Sequence, residues 1–335
     1  MKNVILVVFS FLAISYGYGQ GEGSVFSSTG RGVSTTFATD YQALGINPAN
    51  LGWSKEFRGK TFTFGLMETG FSARSKLFNN ELFQGSGSFS LNLGSSNNRK
   101  FNDYTELSTD LQDGLSFNLD SRLFGIALTT KRLGGFAFSV TEKYSMDMGL
   151  SKDFADIVTY GFSAPYFDSL VVNSGGSTST IANTPSNYDS LQSDPNSTIV
   201  AGKASNPKTV SELMDGTRLK VSWIREFNFG YGRQLLKNEK FGIYGGIGIK
   251  YLTGMAIFDL ESSPNNLSAF LSYSPSFNGS GSGLFSASGF QAGLPKAAGR
   301  GFGVDLGVNI KAFKRLKIGI AVNDIGSITW RENTF

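Results

Sequence analysis

The stretch GFGVDLGVNIKA, Gly301 to Ala312, decides how this chain folds. Phe302, Val304, Leu306, Val308 and Ile310 take every second position, and Gly301, Gly303, Asp305, Gly307 and Asn309 fill the gaps. A side-chain period of two belongs to a β-strand with one apolar face and one small or polar face. The run is 12 residues long, against a usual soluble strand of about 5–6. A strand that crosses a bilayer needs about 9–11.

The same alternation recurs along the chain. Phe62, Phe64 and Leu66 alternate with Thr61, Thr63 and Gly65; Phe124, Ile126 and Leu128 with Gly125, Ala127 and Thr129. Further series are Phe136–Val140, Phe227–Tyr231, Lys240–Leu252 and Leu316–Val322. The connections alternate too. KRLGG at Lys131, LKNEK at Leu236 and FKRLK at Phe313 are tight and basic, whereas 145–216 and 261–299 are long and rich in Ser, Asn, Gly and Pro. Short turns at one rim and long loops at the other, with Phe and Tyr near strand ends, describe an outer-membrane barrel. The expected fold is all-β: an antiparallel transmembrane barrel of about 8–10 strands, its short turns periplasmic and its long loops outside. Two amphipathic helices are expected in the connections, FNDYTELSTDLQDGL around Leu107 and SKDFADIVTYG with Ser151 as N-cap and Gly161 beyond its end.

The amino terminus suits that compartment. Met1–Gly19 carries Lys2, the apolar run VILVVFSFLAI and a small-residue site at Gly17–Gly19, the three parts of a secretory signal. The apolar run, Val4 to Ile14, is shorter than the roughly 20 residues a membrane helix requires. Without Lys2 the mature net charge is +3 (29 basic less 26 acidic), too balanced for a nucleic-acid partner. The chain has no Cys and no His, which excludes disulfide staples, Ser-His-Asp and Cys-His catalysis and the commonest metal ligand. No nucleophile–base pair remains, so no enzyme activity is expected. No cofactor is expected either. The glycines of GRGFG at Gly299 and GGIG at Gly245 lie inside strands with no helix after them, which a phosphate loop requires. Asp147, Asp153 and Asp156 lack the spacing and turn glycine of a calcium loop.

Ahead of the first strand lies TDYQALGINPANLG, Thr39–Gly52, a short helical turn closed by Gly45 and a stiff Asn-Pro-Ala corner. Asp40, Ala43, Asn47, Pro48, Ala49 and Leu51 resemble the N-terminal hatch of FadL-type outer-membrane barrels, the long-chain fatty-acid transporters, and of PorV-type barrels. Gly301, Gly303, Asp305 and Gly307, followed by Asn323, Ile325, Gly326, Ile328 and Trp330, resemble the closing strands of Bacteroidetes barrels whose function is unknown. The resemblance implies a hatch over 20–59 with Asp40, Asn47, Pro48 and Ala49 at its moving part, and a barrel over 60–335. Strand parity makes Asp305, Asn309, Asn323 and Asp324 lumen candidates. Phe270, Tyr273, Phe277, Phe285 and Phe290 are apolar candidates in the second long loop.

The expected function is a non-enzymatic outer-membrane barrel of a Gram-negative cell, surrounded by lipid, that passes or binds a small hydrophobic molecule. The alternative, which PorV-type relatives imply, is a membrane-anchored platform for a protein of a secretion or envelope complex. Parity also predicts an incomplete barrel, because Leu316–Val322 runs outward and the chain stops near Trp330. The other arrangement pairs a strand around Gly87–Leu93 with the last one. Phe335 reads as a coincidental terminal aromatic, since Arg331 and Asn333 break the alternation behind it.

Overall fold

The computed structural model describes residues 36, 38–53, 62–75, 103–130, 132–238, 241–277, 296–312 and 316–335. The signal segment Met1–Gly19, the stretch Gly87–Leu93, and Phe285 and Phe290 lie outside the described residues. The strands in chain order are β1 (Phe62–Ser75), β2 (Leu115–Thr130), β3 (Gly134–Gly149), β4 (Ser169–Ser174), β5 (Ser177–Ala182) and β6 (Ser197–Lys203). They continue as β7 (Arg218–Lys237), β8 (Phe241–Ser263), β9 (Asn266–Tyr273), β10 (Gly299–Ala312) and β11 (Leu316–Trp330). The helices are α1 (Asp103–Asp113), α2 (Lys152–Tyr160), α3 (Pro185–Ser193) and α4 (Val210–Leu213).

An eight-stranded antiparallel sheet dominates, in the order β1-β2-β3-β7-β8-β10-β11, with β9 added to the far end of β8. Strands β7 and β8 have 20 and 23 residues, so at about 3.3 Å per residue they reach well past a hydrocarbon layer of about 30 Å. Strand pairing fixes two faces. On one, Leu128 lies opposite Phe136 and Phe62, Phe136 opposite Tyr231, Tyr251 opposite Phe227 and Phe302, and Val308 opposite Ile320. Phe64, Phe302 and Ile320 on that face are more than half exposed. The other face carries Gly135, Gly232, Gly246 and Gly307 and the buried polar residues Asn228, Lys250, Asp305 and Asn309. The strand ends that precede and follow the short connections β2–β3, β7–β8 and β10–β11 lie at one rim, and those of the long connections β1–β2, β3–β7 and β8–β10 at the other.

The described sheet does not close on itself; β1 and β11 are its two edges. Both run from the short-turn rim toward the long-connection rim, because seven strands separate into alternating directions. Two strands pointing the same way cannot join by the antiparallel ladder used everywhere else in the sheet.

The long connections hold more structure than their composition suggests. The stretch SGGSTSTIANTPSN forms the β4–β5 hairpin and the start of α3, where Gly175 and Gly176 have φ of 59° and 89°. Positive φ at both turn positions matches the right-handed twist of the strands, and glycine allows it. β4 is flanked by β5 and β6 in a separate three-stranded sheet. The first connection is therefore 150–217, shorter than 145–216 at its start because β3 continues to Gly149. The second expected loop begins as a hairpin, β9 folding back on β8 from Ser263 opposite Asn266. Both expected helices are present. Leu111 of α1 packs on Leu150 and Ala155, and Ser108 donates to the Asp156 carboxylate. Ser151 caps α2, accepting from Phe154 N at 3.3 Å and donating to Leu213 O at 2.6 Å; Gly161 follows at φ 60°.

Ser151→Ala removes both bonds at a buried junction of the connection. The expected loss is about 1 kcal/mol of local stability, seen as faster hydrogen exchange across α2 with the exchange of β7 and β8 unchanged.

Candidate functional site

The segment 39–53 lies on the polar face of the sheet as two 3-10 turns, Asp40–Ala43 and Pro48–Gly52, separated by Gly45 at φ 76°. Asn47 is extended, with φ −160° and ψ 102°, and its side-chain oxygen accepts from Ala49 N at 3.0 Å. Pro48 takes the first position of the second turn, where a missing N–H costs nothing. Tyr41, Ala43, Leu44 and Leu51 form a buried cluster with Ala127 of β2 and Ala137 of β3. Asp40 is buried with φ of 59°, in the left-handed region that Asp tolerates better than most residues.

The sheet makes room for this segment by omitting side chains. A Cβ at Gly65 or Gly125 would strike Tyr41, at Gly135 the backbone of Leu51, and at Gly230 the Leu44 side chain. At Gly232 and Gly246 it would strike the Pro48 backbone, and at Gly307 the Asn47 amide. These glycines come from six strands; Gly135, Gly232, Gly246 and Gly307 lie opposite one another across β3, β7, β8 and β10, and Gly65 lies opposite Gly125. A glycine in a strand costs roughly 0.5–1 kcal/mol relative to alanine, so the floor is useful only with the segment on it.

Polar bonds fix the segment's position. The carboxamide of Asn309, on β10, lies 2.9 Å from that of Asn47 and also bonds that of Asn50; all three residues are fully buried. Asn323 donates to Ile46 O at 3.1 Å. The Tyr41 hydroxyl donates to Glu68 at 2.7 Å, and the Arg122 guanidinium lies 5.5 Å from the centre of its ring. Burial, then the hydrogen bond to Glu68, pushes the Tyr41 phenol up to about 12, so it remains a donor at any ordinary pH. At the opposite end Trp53 packs on Tyr244 with ring centres 5.4 Å apart, and Lys317 lies 5.4 Å from the Trp53 ring.

Next to the segment, toward the long-connection rim, the same face carries a collar of charges. Lys250 is fully buried, with its ammonium 3.1 Å from Asp305, 3.8 Å from Glu226 and in contact with Asp324. Lys143 pairs with Glu226 at 3.3 Å and Arg122 with Glu68 at 3.3 Å. Asp120 lies opposite Lys143 where β2 pairs β3. On each strand the collar residue lies farther from the short turns than the glycine beneath the segment: Lys250 beyond Gly246, Asp305 before Gly307, Glu226 before Gly230. Two bulges shape it. One is at Leu123, skipped where Arg122 pairs Thr141 and Phe124 pairs Val140, with Met67 beside it on β1 at φ 53° and Glu68 turned to Arg122; the other is at Asp324, at φ 59°, where Val304 pairs Ile325 and Leu306 pairs Val322.

The four lumen candidates thus divide by task. Asn309 and Asn323 hold the segment, whereas Asp305 and Asp324 hold Lys250. Adjacent residues 323 and 324 both serve the inner face only because of the bulge. Strand parity missed Lys250, Glu226, Lys143, Arg122, Glu68 and Asp120. A lone lysine at the glycine parity of GIYGGIGIKYL was the available signal for Lys250. The outer-loop aromatics stand apart from one another. Phe270 is exposed on β9, Tyr273 stacks on Phe335 with ring centres 6.2 Å apart, and Phe277 stacks on Trp223 at 5.3 Å. Phe335, expected to be incidental, also exchanges backbone hydrogen bonds with Leu271 at 2.9 and 3.2 Å. Trp223 in turn donates to Glu142 at 2.6 Å on the apolar face, beside Arg225.

Comparison with known proteins adds one similarity. Residues 172–335 match the model of the Family of unknown function (DUF5723). The match to DUF5723 runs from within β4 to Phe335 and takes in Glu226, Lys250, Asp305, Asn309, Asn323 and Asp324, but neither the segment nor Glu68 and Arg122. No curated protein and no solved structure matches the chain.

Asn309→Ala strips Asn47 and Asn50 of a shared buried partner, at an expected cost of about 1–3 kcal/mol. The amide of Ala49 and its neighbours should exchange faster in hydrogen–deuterium measurements. Asn323→Ala, which removes one bond to a backbone carbonyl, should have the smaller effect.

Proposed function

We propose that the protein is exported to the outer membrane of a Gram-negative cell, where its sheet forms the wall of a barrel and the segment 39–53 is the gate of a passage for small solutes. The observation that carries this reading is the glycine floor. A small barrel is normally filled by its own strand side chains. Here the strands give up those side chains at Gly65, Gly125, Gly135, Gly230, Gly232, Gly246 and Gly307, and a separate piece of chain fills the space. A filling that is not part of the wall can be displaced without breaking the wall.

The outward apolar face supports the membrane part of the proposal. Exposed Phe62, Phe64, Leu66, Ile247, Ile249, Phe302, Leu306, Ile318 and Ile320 suit lipid and make a poor water-facing surface. The free ladders of β1 and β11 must be paired inside hydrocarbon, since each unmet backbone group costs several kcal/mol there. Closure of the wall in the membrane is therefore part of the proposal.

Energetics decide the resting state. Tyr41, Leu44, Leu51 and Trp53 are buried side chains of the gate, each worth about 1.5–3 kcal/mol, so its hold is on the order of 10 kcal/mol before polar terms. The passage is shut until a ligand or partner binds the open form better by a comparable amount. Cargo follows from the lining. FadL-type resemblance implies a hydrophobic molecule, but the charged collar stands across the route beside the gate and favours a polar one.

A second reading has an observation of its own. The ordered unit of β4, β5, β6 and α3, held through Asn183 to the carbonyls of Ser163, Ala164 and Phe167, suits an external docking platform for a protein partner. Gly246→Val separates the readings. Its side chain overlaps Pro48 and should expel the gate, raising efflux of a small polar dye from proteoliposomes well above the unmodified protein, with strand content by circular dichroism unchanged. A folded variant as tight as the unmodified protein would remove the gate and leave the platform.

A further inference from the structure

The collar holds more acid than base. Glu68, Asp120, Glu226, Asp305 and Asp324 face Arg122, Lys143 and Lys250 among the described residues, an excess of two carboxylates. Its unmet hydrogen-bonding capacity leans the same way. Asp305 Oδ2 has no partner in a residue only 1 % exposed, although Oδ1 of the same carboxylate accepts from Asp324 N at 2.9 Å and meets Lys250. Asn228 Oδ1, in the same tier of β7, is a second buried acceptor without a partner. One donor, Arg122 Nε, stands against them. The Lys250 ammonium shows which charge this place accepts, since it sits fully buried among three carboxylates.

We infer that the collar is a selectivity filter for small inorganic cations, with Asp305 at its centre and Lys143 and Asp324 at its wet edge. Rings of carboxylates lower the barrier for cations and raise it for anions, most where the surroundings are poor in water. A hydrated cation passing the opened gate would meet Asp305 Oδ2 and Asn228 Oδ1 as ligands already desolvated and turned inward. An anion would meet the carboxylate excess. The described residues contain no cluster of metal-chelating side chains, as suits an ion that passes through and is not retained. The inference rests on the reading of segment 39–53 as a gate.

The test uses the full chain carrying Gly246→Val, in planar bilayers with a KCl gradient. The expected result is a conductance whose reversal potential lies on the potassium side. Adding Asp305→Asn should move it toward zero, and adding Lys143→Gln, at the partly exposed edge, should move it further toward the potassium limit. Reversal at zero or on the chloride side overturns the cation filter and leaves the gate standing. No conductance from a folded variant overturns the gate, and the filter with it. If Asp305→Asn fails to fold, the shift with Lys143→Gln decides: no change, or a move toward chloride, overturns the inference.

Discussion

The structure depends on two stretches of backbone meeting with no side chain between them. Pro48, Leu51 and Asn47 lie directly on Gly232, Gly246, Gly135 and Gly307, and that approach is possible only if all these glycines reach the same level on the same face. Strand register is therefore locked from within. A slip of one residue in any strand would turn its glycine outward and drive a Phe, Ile or Val into the segment. The apolar outer face and the segment thus enforce the same registers.

Above that floor the wall changes character abruptly. Polar and charged residues replace glycine on the inner face, and on the outer face the run of Phe and Val ends at Glu142, Arg225, Trp223 and Tyr144. Met67 and Asp324 adopt left-handed backbone at this level, a conformation that costs roughly 1–2 kcal/mol outside glycine. At both places a carboxylate turns inward, Glu68 to Tyr41 and Arg122, and Asp324 to Lys250. Local backbone cost is thus offset by charge-assisted contacts with the segment and across the collar.

The same collar binds the two halves of the wall together. Lys143, Glu226 and Lys250 link β3, β7 and β8, Asp305 with Asp324 continues the chain of contacts to β11, and Arg122 with Glu68 joins β2 to β1. Buried charges of this kind add little net stability over a well-packed apolar core.

The residues by themselves determined the seven long strands of the main sheet, their long-short connections and the separation into an apolar and a small or polar face, but not β4, β5, β6 or β9. Those features follow from a period of two that any reader of GFGVDLGVNIKA can count. The two amphipathic helices, the Ser151 cap and the stiff corner at Asn47 and Pro48 were equally legible, because each depends on neighbours within four residues. The tertiary structure alone decided what the glycine-bearing face meets. That Gly246 and Gly307 lie under Pro48 and Asn47, or that Lys250 sits among Glu226, Asp305 and Asp324, depends on contacts between residues far apart in the chain, 262 positions for Asn47 and Asn309 and 277 for Ile46 and Asn323. Local pattern carries no information about such pairings. The bulges at Leu123 and Asp324 were hidden for the same reason: an extra residue in one strand is defined only by the strand that pairs with it.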